Sequence, residues 1–128
     1  MADEMPQPAG GPHLRGVAMP RDANASGDIF GGWTLSQMDL AGGTFAADRS
    51  GKRVVTVRID GVEFLKPVSV GDDVSVFCHL EHEGDTSLAV RIEVWARGRV
   101  GGDPHKVTEG VFTYVAVGQD GTPAPVSA

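Results

Sequence analysis

One long apolar segment with helical spacing, followed only by segments of period two, most restricts the folds open to this chain. From about Phe30 to Asp48, the pairs Ile29 and Trp33, Trp33 and Gln37, and Met38 and Phe45 share faces at one- or two-turn spacings. Such a helix is ~27 Å long at the usual rise per residue. It is apolar nearly all round, which predicts a buried element. Asp28 or Ser26, at the end of the polar loop that starts at Arg21, is expected to cap its start. Gly42 and Gly43 lie inside it, and each glycine costs about 1 kcal/mol against alanine. Two in a row predict that another backbone or a ligand comes very close.

After Ser50-Gly51-Lys52 the period changes to two. Arg53 to Leu65 alternates across Val55, Val57 and Ile59, with Gly61 as an expected bulge. Val70 to Asp73 is a turn, Val74 to Leu80 a strand, and Glu83-Gly84-Asp85 a hairpin turn. Thr86 to Arg99 alternates clearly. Leu88, Val90, Ile92 and Val94 form one face; Arg91, Glu93, Trp95 and Arg97 form the other. Val107 to Val117 is the last strand, and His13 to Met19 a short first one ended by Pro20. One buried helix with a run of antiparallel strands is an α+β architecture, most simply a sheet curled around the helix. Its edge strands invite pairing with a second copy.

The chain divides into three parts. Residues 1–12, rich in Pro, Gly and Ala, read as a disordered arm. Residues 13–117 form a single domain, and residues 118–128 read as a flexible tail. A length of 128 residues fits that single domain. The formal net charge of -6 argues against a nucleic-acid binder, whose affinity rests on neutralised phosphates. Residues 1–12 lack the marks of a signal peptide, and no apolar run approaches the ~20 residues of a membrane span. A single cysteine, Cys78, excludes an intrachain disulfide. These features are compatible with a cytoplasmic protein, with no membrane or nucleic-acid partner.

The chemistry centres on Asp39, a carboxylate set among Trp33, Leu35, Met38, Leu40 and Phe45. A buried charge is costly unless paired or hydrogen-bonded. Asp39 is either a structural acid held by hydroxyls such as Thr34, Ser36 or Thr44, or a general base or nucleophile. Asn24 could orient water or a carbonyl, or simply close an Asx-turn. Gly31 and Gly32 could present helix N-terminal N–H groups to a developing oxyanion, or form a tight entry turn. Scattered His13, His79, His82 and His105 do not form a metal-binding pattern, so no metal is expected. Cys78 reads as core. Most basic residues form a solvated face, and Lys66, fixed by Pro67, is the best single candidate for holding a phosphate.

Taken together, these residues resemble a known family. Its marks are Met19-Pro20, the stretch from Asn24 to Trp33, Met38-Asp39, Val54 to Val57, Phe64 to Asp72, Glu93 to Trp95 and Val111 to Val117. They look like the YciA-type acyl-CoA thioesterases of the hotdog-fold superfamily, over about Arg15 to Val117. The resemblance implies a hotdog fold, a long helix wrapped by an antiparallel sheet, and hydrolysis of acyl-CoA thioesters without a cofactor beyond CoA itself. It implies active sites at a dimer interface, with dimers gathered as a trimer of dimers. Asp39 matches the family's acid, and Asn24 its polar partner from across that interface. Val55, Thr56, Val57, Phe64, Lys66, Pro67 and Ser87 match positions expected to bind substrate or CoA. The chain departs from many relatives at Asp85, where they carry an arginine, and in its tail, which lacks their basic segment. A non-catalytic acyl-CoA binding module is the alternative. A dehydratase of the same fold needs a site histidine, and none lies between Arg15 and Phe77.

Overall fold

The computed structural model describes Pro8 and residues 10–127. Strand β1 (Leu14–Val17) precedes helix α1 (Gly31–Ser50), and β2 (Arg53–Phe64), β3 (Asp73–Glu83), β4 (Ser87–Arg97) and β5 (His105–Val117) follow. All sheet pairings are antiparallel, in the order β1-β3-β4-β5-β2. The helix lies across one face of this sheet.

Small residues let it lie close. Ala41, Gly42 and Ala46 are buried with Met38 against Val76, Leu88, Val90, Ile92, Phe112 and Tyr114. A Cβ on Gly42 would stand 2.3 Å from the Tyr114 hydroxyl and 2.6 Å from Ile92 Cδ1. Gly42 is therefore where the helix and the sheet approach most tightly. Gly43 is looser, at 3.7 Å from the Tyr114 ring. The helix ends at Gly51, whose φ of 68° supplies the left-handed cap that other residues resist.

Several sequence expectations change. The helix is not buried all round: Leu40 is 58% exposed and Phe30 55%. Its apolar stripe is wider than one sheet face can cover. Neither Asp28 nor Ser26 caps it. Phe30 is the N-cap, without a side-chain hydrogen bond, because Asn24 and the chain reversal around it occupy the preceding polar loop. On β4 the inner face is as expected, but Trp95 and Glu93 are buried on the other. There the indole N–H donates to Glu93 Oε1 at 3.1 Å, and Lys106 and His79 flank the same carboxylate.

On β2, simple alternation fails twice. Its register shifts between Thr56 and Arg58 and again between Asp60 and Glu63. The second irregularity holds Gly61 at a φ of 69°, the expected bulge. It is accommodated by Gly110 on β5, where a Cβ would stand 2.5 Å from Val62 Cγ2 and 3.1 Å from the Asp60 carbonyl. Because of the first irregularity, Val55 pairs with Val115 on the outer face, while Ile59 pairs with Phe112 on the inner one.

The expected disordered arm falls mostly on residues 1–7 and 9, outside the described residues. The expected loose tail is instead docked. Ala124 N–H donates to Ala116, Val126 N–H donates to the Asp85 carbonyl, and Val126 is 5% exposed in the core. The turn at Gly118–Thr122 folds the chain back onto the hairpin between β3 and β4. Val126→Ala should therefore cost about 1–2 kcal/mol, from the lost methyl burial, in denaturant unfolding. Unchanged stability would show that the docked tail contributes nothing.

Candidate active site

Asp39 sits half-buried on α1, two turns from its start. Its Oδ1 accepts two hydroxyl hydrogen bonds: from Thr56 at 2.7 Å and from Tyr114 at 3.0 Å. The Tyr114 hydroxyl also lies 3.2 Å from the Asp39 backbone carbonyl. Thr56 and Tyr114 are direct partners across β2 and β5, and Leu88 continues the row on β4. These inward-facing positions meet the helix at Asp39. Among the described residues no hydrogen bond reaches Oδ2. A groove of about 450 Å³ runs beside the acid, walled by Leu40, Gly43, Thr44, Ala47, Val54 and Thr56.

The hydroxyls expected locally are not the ones that hold Asp39. Thr34 is buried, and Thr44 donates to its own helix at the Leu40 carbonyl. The true donors lie 17 and 75 residues away in sequence. Thr56, expected to contact substrate, also donates to Asp39. Tyr114 was not expected at all. No local signal marks either one, since only strand register brings them to the acid.

Asn24 closes its own loop. Its Oδ1 accepts from Ser26 N–H at 2.9 Å and Asp28 N–H at 3.1 Å, an Asx-turn. It makes no hydrogen bond to Asp39 within the chain. Gly31 lies against the ring of Phe64, 3.2 Å from where a Cβ would stand, whereas Gly32 is open. The first-turn N–H groups have no side-chain cap. Gly31 shares a second groove of about 320 Å³ with Phe64, Lys66, Pro67 and Val68. Asp39 follows Gly31 by eight residues, about 12 Å along the axis, so the two grooves are separate within one chain. The expected substrate positions also divide between sheet faces. Thr56 and Phe64 point inward, whereas Val55 and Ser87 flank Val115 on the outer face. Val57 stands at the first irregularity, 55% exposed.

Cys78 faces the core and lies outside both grooves. Burial pushes its thiol up to about 12. Among the described residues no group of three or more metal-ligating side chains occurs, and no helix is long and apolar enough to cross a membrane.

Comparison with known proteins places this geometry. The family described as the Thioesterase superfamily matches residues 26–102. The chain belongs to the thioesterase superfamily. It is 49% identical over 117 residues to the acyl-CoA thioester hydrolase YciA of Salmonella typhimurium, covering 88% of this chain and 87% of that one. A hexameric thioesterase from Yersinia pestis is 48% identical and superimposes with a TM-score of 0.87, covering 92% of this chain and 96% of that one. A hexameric broad-specificity acyl-coenzyme A thioesterase is 41% identical at a TM-score of 0.87, covering 95% and 84%. The fold is thus the hotdog thioesterase fold expected from the sequence.

A raised, buried thiol is a poor nucleophile. Native protein at pH 8 should leave Cys78 unlabelled by a thiol reagent over minutes, and denaturant should expose one equivalent. Rapid labelling of the native protein would contradict the packing described.

Proposed function

We propose that the protein hydrolyses acyl-CoA thioesters to a free carboxylic acid and CoA. The observation that carries this reading is the state of Asp39. One carboxylate oxygen is fixed by two hydroxyls, and the other is left for chemistry beside an open groove. In this reading Oδ2 either takes a proton from the attacking water or attacks the thioester carbon to give an anhydride that water then opens. Either way the thiolate of CoA leaves and is protonated, and no metal or other cofactor is required.

The remaining parts come from a second copy. Strand β2 is a sheet edge, with Val55, Val57 and Ile59 about half exposed along it. Antiparallel pairing of β2 with its copy sets the Arg53 end of one chain beside the Phe64 end of the other. That brings the groove at Asp39 and Thr56 next to the partner's groove at Gly31, Phe64 and Lys66. The partner's uncapped N–H groups at Gly31 and Gly32 then lie where an oxyanion forms, with the helix dipole behind them. Asn24 of the partner subunit positions water or substrate with its amide N–H₂, since its own loop uses only Oδ1. Lys66 faces CoA phosphate, and Pro67, Val55, Thr56, Val57, Phe64 and Ser87 line the approach. Such dimers assemble further as a trimer of dimers, and the protein acts in the cytoplasm.

Asp39→Asn should abolish release of free thiol from a panel of acyl-CoAs while CoA still raises thermal stability. Near-normal turnover in that variant would sink the assignment. If neither protein turns over any acyl-CoA while CoA still stabilises both, the non-catalytic binding module replaces it.

The two-copy site makes a second prediction. Asn24→Ala and Asp39→Asn, each inactive alone, should regain activity when unfolded and refolded together. A mixed dimer holds one intact site, so random mixing restores about a quarter of the wild-type sites, given two-fold symmetry. No recovery in confirmed mixed dimers would place both residues in one chain's site.

A further inference from the structure

Tyr114 is the buried group at the Asp39 groove to which hydrolysis by a carboxylate assigns no task. Its ring packs at 1% exposure among Met38, Leu88 and Ile92, where phenylalanine would pack as well. What tyrosine adds is one hydroxyl, and that hydroxyl ends 3.0 Å from Asp39 Oδ1. The helix makes room for it. Gly42 lacks the Cβ that would stand 2.3 Å from the oxygen. The helix thus carries a glycine, with its cost in helix propensity, at the place the hydroxyl passes.

Resting on the thioesterase reading above, we infer that Tyr114 is a positioning residue for Asp39, and that Gly42 is the clearance that lets it reach. Thr56 and Tyr114 are neighbours in one row and donate to the same oxygen. With Oδ1 held from two strands, the carboxylate cannot rotate, and Oδ2 stays turned to the groove. The phenol acts as a donor throughout and transfers no proton. Burial and the adjacent carboxylate hold its pKa well above the usual tyrosine range. The other titratable groups facing this point are Asp48 of α1, which lines the groove, and Cys78 of β3, behind the phenol. From β2 the groove receives only Val54 and Thr56.

The test is thiol release by the full chain, with thermal unfolding as a control for folding. Tyr114→Phe should lower kcat roughly tenfold, as expected for a bond to a charged group. It should leave KM within about twofold. Gly42→Ala should lower kcat likewise, and because its Cβ also meets Ile92 Cδ1 and the ring at Cζ it should cost thermal stability with or without the hydroxyl. Tyr114 is the only tyrosine in the chain, so biosynthetic 3-fluorotyrosine reports on it alone without altering the packing. Its fluorine resonance should shift in Asp39→Asn, because the phenol donates to that carboxylate. A wild-type kcat in Tyr114→Phe, or a fluorine signal blind to Asp39, overturns the positioning role and leaves the thioesterase reading standing. A wild-type chain that releases no thiol overturns both.

Discussion

The approach of α1 to the sheet at Gly42 is the contact on which the rest of the molecule depends. A helix this long can bury one face against five strands only if its inward residues are small at the crossing. Ala41, Gly42 and Ala46 meet that need. The closeness has a chemical result as well as a packing one. It brings the Asp39 carboxylate within reach of hydroxyls that belong to the sheet. A helix held an ångström further out would leave the acid to water and to its own helix.

The same packing leaves the molecule one-sided. The helix covers the concave face of the sheet, but its opposite side keeps Leu40 and Phe30 exposed, and β2 remains an open edge. The two grooves lie at different heights along the helix, one beside the acid and one beside the first-turn N–H groups. In the two-copy arrangement proposed above, a second chain covers the open edge of β2 and joins the two grooves.

Much of the architecture was legible because local chemistry marks it. The Gly51 stop, the Gly61 bulge and the inner stripe Leu88, Val90, Ile92 and Val94 each follow from residue type and spacing. The irregularity at Val57 was not legible, since no glycine or proline announces it, and it sends Val55 and Ile59 to opposite faces. The docking of Val126 was hidden by flanking prolines that read as loose chain. Asp39 stood out as an acid in an apolar helix, but its partners did not. A hydroxyl at Thr56 or Tyr114 finds the acid only through strand register, which depends on the whole sheet. The Asn24 side chain shows the converse: its local turn was readable from residue type alone.

The irregularities in β2 have a consequence for life in a crowded solution. A straight, apolar edge of twelve residues would accept any extended chain and stack without limit. Here the ladder is broken after Thr56 and again after Asp60, so only short stretches offer evenly spaced backbone groups. A strand that matches must carry the same breaks in reverse order, which a copy of this chain does and an arbitrary peptide does not. The kinks that spoil the alternation thus also guard the edge against fibrous aggregation.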